Sequence, residues 1–223
     1  MRAGARSTHR RRRVLSFVVA AGLVGAGTLG SCRAADQFHY RGRHSLFGDI
    51  GTYSNAIDRS GSTVTVRTTV HLAVTAIGVV LHREDAERIE QWKDDRLVYF
   101  RGVTTINGDI IEVKGDARAD SFVITSPLGN AVAPAAVIPS NPSSLKLLRS
   151  ATIMRTDTGK IENVNITGDD KLKTVDVNGV NIPAREYQID GSVPYKIWID
   201  QKNIPVRFAV IDDSGEIVFT LVR

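Results

Sequence analysis

Seven reversal signals punctuate the body of this chain and constrain its fold more than any other feature. They are Ser60-Gly61, Lys93-Asp94-Asp95-Arg96, Asn107-Gly108, Thr158-Gly159, Asn178-Gly179, Asp190-Gly191 and Ser214-Gly215. Tight hairpin turns need residues that accept positive φ, which Gly and Asn tolerate at little cost. The segments between the turns are short and rich in Val, Ile, Thr, Tyr and Phe. Together these features predict an all-β antiparallel meander with minor α content. Helix-turn-helix and βαβ layouts would need apolar segments of 3.6-residue period, which the chain lacks.

One segment shows how the sheet should curve. From Val64 the apolar side chains fall on even positions (Val64, Val66, Val70, Leu72, Val74, Ala76), with Thr63, Thr65, Arg67, Thr69, His71 and Thr75 between them. After Ala76 the phase flips to Ile77, Val79 and Leu81. A period-2 pattern changes phase where a residue is inserted or the strand turns a corner, and Gly78 stands at that point. The expectation is a long strand bent by a bulge, in a strongly curved antiparallel sheet that forms a half-barrel or barrel. Three further strands are read at Pro194–Asp200, Ile204–Ile211 and Glu216–Val222; the last, apolar on both faces, fits a doubly buried strand or a closure seam. The four prolines of Pro127–Ser144 predict an extended crossing loop at about 127–144, with Leu128–Val137 as an alternative lid. Ser140-Asn141-Pro142 then opens a short helix near 142–152 that plugs or caps the sheet. Residues 36–223 read as a single antiparallel β domain.

Residues 1–35 carry a different pattern: Arg10–Arg13, the apolar run Val14–Gly30, then Ser31-Cys32-Arg33-Ala34-Ala35. A basic region, a short apolar core and small residues form the layout of an export signal. The apolar run falls short of the ~20 residues that span a bilayer. Arg11-Arg12-Arg13-Val14-Leu15 resembles a twin-arginine signal, with the general secretory route as the equal alternative. Leu29-Gly30-Ser31-Cys32 resembles a lipoprotein cleavage box, which makes Cys32 a lipidation candidate and membrane tether; the other reading is cleavage after Ala34. Export places the protein in the periplasm or cell envelope. The chain holds 29 basic and 24 acidic residues, but six arginines lie in residues 1–32, where no acid does. Without them 23 basic residues face 24 acidic ones, so no nucleic-acid partner is expected. Cys32 is the single cysteine, so no internal disulfide forms.

A family resemblance rests on three stretches. They are Glu90-Gln91-Trp92 followed by a charged turn and Leu97, Thr156-Asp157-Thr158-Gly159-Lys160, and Tyr195–Asp200 followed by Pro205-Val206-Arg207-Phe208. They resemble an uncharacterised group of exported proteobacterial proteins, domains of unknown function, over most of residues 38–223. The wider fold is similar to the half-barrels of periplasmic lipoprotein carriers, in which a curved sheet wraps a hydrophobic cavity and a helical plug. That resemblance implies a cavity able to take acyl chains; it brings no catalytic residues.

Motifs for chemistry are absent. The chain has no Gly-x-Ser-x-Gly elbow, no His-Glu-x-x-His and no phosphate loop. His39, His44, His71 and His82 read as exposed structural residues rather than metal ligands. Asp94-Asp95, Asp169-Asp170 and Asp212-Asp213 read as turn caps. Arg67, Arg83, Arg101, Arg118 and Arg207 read as solvated strand faces. Trp92, Tyr99, Trp198 and Phe208 are the candidate cavity aromatics, with core filling as the alternative. No cofactor, metal or catalytic residue is expected. The functional expectation is a non-enzymatic envelope protein that binds a lipid or apolar small molecule in the concave face of its sheet. The alternatives are a structural or interaction module with a filled core, or an envelope hydrolase.

Overall fold

The computed structural model describes residues 35–212 and 215–222. The export signal, Cys32 and the Ser214 turn position lie outside the described residues.

The reversal signals deliver a meander. In the first half, β1 (Asp36–His44), β2 (Gly48–Ser60), β3 (Thr63–Ala76), β4 (Val79–Lys93), β5 (Arg96–Ile106), β6 (Asp109–Ala117), β7 (Ser121–Ser126) and β8 (Gly129–Pro134) follow as successive hairpins. In the second half, β12 (Asn165–Val177), β13 (Val180–Asp190), β14 (Tyr195–Asp200), β15 (Pro205–Asp212) and β16 (Gly215–Leu221) do the same. The halves join through the antiparallel pair β1–β16, in which Tyr40 faces Leu221 and His44 faces Ile217. Among the described residues this gives one sheet of 13 strands, ordered β12-β13-β14-β15-β16-β1-β2-β3-β4-β5-β6-β7-β8. The last strand, expected to be doubly buried or at a closure seam, instead lies inside the sheet as half of this β1–β16 pair. The sheet does not close, and β12 and β8 are its edges.

Two segments of the first half depart from the expected layout. The phase flip after Ala76 is a hairpin, not a corner: Ile77 and Gly78 both take positive φ (50° and 75°) and the chain reverses from β3 into β4. The Pro-rich stretch is not a crossing loop throughout, nor a lid. Gly129–Pro134 is edge strand β8, where Pro134 is tolerated because an edge leaves N–H groups unpaired anyway.

Curvature comes from bulges and from glycines that let aromatic rings in. Register shifts interrupt the ladders at Gly42/Arg43, Val74/Thr75, Gln91/Trp92, Asp169/Lys173 and Trp198/Ile199. The Asp169-Asp170 pair, expected in a turn, sits at one of these bulges within β12. At Gly115 a Cβ would stand 2.2 Å from the Phe122 ring, so the ring occupies the space that a side chain would fill.

The concave side is filled by a plug from residues 138–163. Here β9 (Ile138–Pro139) pairs in parallel with β10 (Thr152–Met154), which pairs antiparallel with β11 (Ile161–Asn163). The short helix is a single 3-10 turn, Leu145–Arg149, shorter than expected; its cap is Ser144, whose hydroxyl accepts from the Lys146 N–H, not the Pro142 segment. Adjacent residues of β10 serve two cores. Ile153 packs with Tyr40, Tyr53, Phe208 and Phe219, while Met154 packs with Trp92, Phe100, Phe122 and Ile124. Both are fully buried, so one three-residue strand ties the two halves of the interior together.

Candidate functional site

Strand β4 brings charge into the concave side. Its inward residues are Glu84, Ala86, Arg88, Glu90 and Trp92, a mostly polar face that the usual apolar-inward rule assigns to solvent. Glu90 and Trp92 are both 2% exposed. The Glu90 carboxylate accepts from Asn141 Nδ2 at 2.9 Å and from Trp92 Nε1 at 3.0 Å. Asn141 Oδ1 in turn accepts from the Tyr53 hydroxyl at 2.9 Å and the Ser143 hydroxyl at 2.8 Å. Asn55 donates to Ser143 Oγ and accepts from Thr68 Oγ1 at 2.6 Å. This polar network pins the plug to β2, β3 and β4. Burial raises the Glu90 carboxyl above the usual carboxylate range, despite the lowering effect of its two hydrogen bonds. Burial also pushes the Tyr53 phenol up to about 12.

Beside the network lies a cavity of about 240 Å³. One wall is apolar, formed by Val70 and Leu72 of β3, Phe208 and Val210 of β15, and Ile217 and Phe219 of β16. The rest of the lining is polar, with Glu84 and Arg88 from β4 beside Leu72 and Val70, and Ser140, Arg155 and Asp157 from the plug. Arg155 donates to both carboxylate oxygens of Asp157 and, at 3.2 Å, to the Ser192 hydroxyl. Burial alone would raise Asp157, but the Arg155 hydrogen bonds and charge hold it below its ordinary value. Arg88 differs. Its side chain is 11% exposed, its nearest carboxylate is Glu84 at 3.6 Å, and its Nε is buried without a partner.

The cavity lies toward the end of the sheet that carries turns 45–47, 77–78, 107–108 and 191–194, since Val193 belongs to the last of these. Leu46, Phe47, Ile77, Val79, Val80 and Leu81 are exposed at that end. A second cavity of about 230 Å³ opens at the opposite end, between Phe38, Tyr40, Trp92, Leu145 and Ile204. The aromatic cluster of Tyr40, Tyr53, Phe208 and Phe219, with ring centroids 4.7–6.1 Å apart, stands between the two.

Of the four expected cavity aromatics, Phe208 lines the first cavity and Trp92 the second, where Lys146 sits 4.5 Å over its ring. Trp198 and Tyr99 line neither of these cavities. Trp198 alternates with inward Ile197 and Ile199, lies under Arg207 and donates to Glu186 at 3.2 Å. Tyr99 pairs opposite Gln91 and Asp116. Arg67, Arg83, Arg101 and Arg118 are exposed, whereas Arg207 is half-buried. His39 is exposed; His71 is exposed too and bonds Asp85 at 2.8 Å. His44, expected to be exposed, is only 2% so, and its Nδ1 accepts from the Leu46 N–H at 3.0 Å. A larger groove of about 470 Å³ runs along Arg41, Arg43 and Arg207, but Asp49, Asp176 and Glu216 line it too. Among the described residues, no group of three or more His, Cys, Asp or Glu is arranged to hold a metal ion.

An open, strongly curved antiparallel sheet around a plug defines this as a β-barrel-like protein. The chain belongs to the family described as Domain of unknown function (DUF6134), whose model matches residues 48–222. Its fold is similar to that in the crystal structure of a beta-barrel-like protein of domain of unknown function DUF1849 from Brucella abortus. The TM-score is 0.63 at 11% identity, over 85% of this chain and 96% of that one. No curated protein matches the chain. The expectation of an uncharacterised, curved β family is met.

Proposed function

We propose that this chain is an exported, non-enzymatic cell-envelope protein that binds an apolar or amphipathic small molecule in the concave cavity. The observation that carries the reading is the cavity itself: about 240 Å³ beside the plug, with a wall of six aliphatic and aromatic side chains. Ligand sites are typically concave and mainly apolar, with a few placed polar groups. The N-terminal pattern supports export, and Cys32 is the lipid-attachment point if the signal ends at Ser31. The rival reading, an interaction module with a filled core, draws on the plug, whose Leu147, Ile153 and Met154 are fully buried and occupy much of the interior.

Native mass spectrometry of the full chain, expressed in a bacterium and purified from soluble and membrane fractions, tests the proposal. A co-purified small molecule, displaced by the apolar dye N-phenylnaphthylamine, supports it. Absence of both a co-purified mass and dye binding overturns it in favour of the filled-core module. Intact mass of the same sample fixes the cleavage site and reports any acyl chains on Cys32.

A further inference from the structure

We propose that Arg88 is the headgroup receptor of the concave cavity and that its ligand is an amphiphile ending in an oxyanion, either carboxylate or phosphate. This rests on the ligand-binding reading above and names the class of ligand.

A guanidinium carries five N–H donors in a planar fork, and taking it out of water is costly unless those donors find partners. Arg88 projects from β4 into the cavity wall with its side chain 11% exposed. It donates no hydrogen bond to any described residue, and its Nε is buried without a partner. Glu84 Oε1, at 3.6 Å from a terminal nitrogen, balances charge but is too far for a hydrogen bond. Glu90, two residues along the same face, is committed to Asn141 and Trp92. Arg155 offers the contrast: Asp157 and Ser192 occupy its fork. The cavity therefore contains one arginine held by hydrogen bonds in a structural ion pair and one, balanced only by Glu84 at 3.6 Å, whose Nε is buried without a partner.

The same cavity is lined by Val70 and Leu72 on the neighbouring strand and by Phe208, Ile217 and Phe219, whose side chains offer no hydrogen bonds. This combination of a cationic donor and an apolar wall matches a molecule with an anionic head and a hydrocarbon tail. A carboxylate or phosphate meets the guanidinium fork with two parallel hydrogen bonds, and such charge-assisted pairs are about twice as strong as neutral ones. In a cavity with apolar walls the attraction is further strengthened by the low local dielectric.

Isothermal titration of the full chain, stripped of co-purified ligand, with dodecanoate, dodecyl phosphate and dodecanol below their micelle concentrations decides the matter. At least one anionic probe should bind about tenfold tighter than dodecanol or better, as expected for one charge-assisted pair. Which of the two binds more tightly separates a fatty-acid-like from a phosphate-bearing ligand. Arg88→Gln should remove that advantage, so that the anionic probes bind no more tightly than dodecanol does, and Arg88→Lys should keep part of it. Glu84→Gln, which deletes the competing carboxylate, should tighten anion binding; a purely structural Arg88 would not respond this way. Equal binding of all three probes leaves the apolar cavity intact as a site and overturns the role of Arg88. Binding of none overturns both readings. The comparison of probes on the unmodified chain decides even if an Arg88 variant fails to fold.

Discussion

Asn141 of the plug donates through Nδ2 to Glu90 Oε1 of β4 at 2.9 Å, across a sequence separation of 51 residues. Through Oδ1 the same amide accepts from Tyr53 of β2. One buried side chain therefore fastens the plug to two strands of the wall. Asn141→Ala takes a donor from the buried Glu90 carboxylate and an acceptor from the buried Tyr53 phenol. The expected loss is about 3 kcal/mol, because stranded buried polar groups cost more than the bond itself contributed. Urea unfolding followed by far-UV circular dichroism measures it; a loss below about 1 kcal/mol would mean that water replaces the amide.

Glu90 gives the fold a pH dependence of defined sign. Burial raises its folded pKa above the unfolded value of about 4.3. Between the two values the folded state binds more protons than the unfolded state, so stability falls as pH rises through that window. Below the unfolded pKa the proton is bound in both states and this destabilisation is absent. Glu90→Gln cannot titrate, so its stability should be flatter with pH than that of the parent chain from about pH 4 upward. Paired urea titrations at a series of pH values show it, and parallel curves would place the slope on other groups.

The turn Ile77-Gly78 is built with the wrong residue for its backbone. Ile77 holds φ at 50°, a region that β-branched side chains avoid, and its side chain is fully exposed, so it gains nothing from burial. Ile77→Asn supplies the favoured Asn-Gly pair at the same dihedral angles. It should stabilise the protein by about 1 kcal/mol, seen as a higher melting temperature. A lowered melting temperature would show that Ile77 makes a contact absent from the described chain.

Gly51 is the opposite case. It lies in β2 at φ +140°, and a Cβ there would stand 1.9 Å from the backbone carbonyl oxygen of His71 on β3. A backbone atom cannot swing aside as a side chain does, so Gly51→Ala should cost more than about 3 kcal/mol or prevent folding. Gly61→Ala is the control: φ is +58° and nothing lies within 4 Å, so only the turn penalty of about 1 kcal/mol remains. Equal losses in the two variants would show that conformation, not the clash, governs Gly51.

The sheet was legible because its turns carry local chemistry, as at Asn107-Gly108 and Asn178-Gly179, where both residues take positive φ. At Ile77-Gly78 that chemistry is broken, and the phase flip read there as a bend is a reversal. The cavity side of β4 was hidden for a different reason. Arg88 and Glu90 look like solvent-facing residues, and only the phase set by buried Ala86 and Trp92 turns them inward. Asn141 was similarly opaque: Ser-Asn-Pro has the local signature of a helix start, but its amide is used across the fold. Local propensity marks turns well, whereas pairings between distant segments leave no pattern in the chain.

Leu72 and Ile153 together discriminate a ligand cavity from a filled core. Leu72 lines the cavity of about 240 Å³, while Ile153 is fully buried in the plug and lines none of the cavities described above. Leu72→Trp can extend its larger ring into the cavity and should cost no more than about 1 kcal/mol, against the roughly 1–3 kcal/mol of overpacking a filled core. Ile153→Trp has no such space and should suffer the full penalty or more. If the cavity is a binding site, Leu72→Trp keeps nearly the parent melting temperature while losing about tenfold or more in affinity for an alkyl probe. Differential scanning calorimetry and probe titration on the two variants make the comparison. Matching destabilisation in both would mean that the cavity collapses in solution, and the filled-core module would then be the better account of the fold.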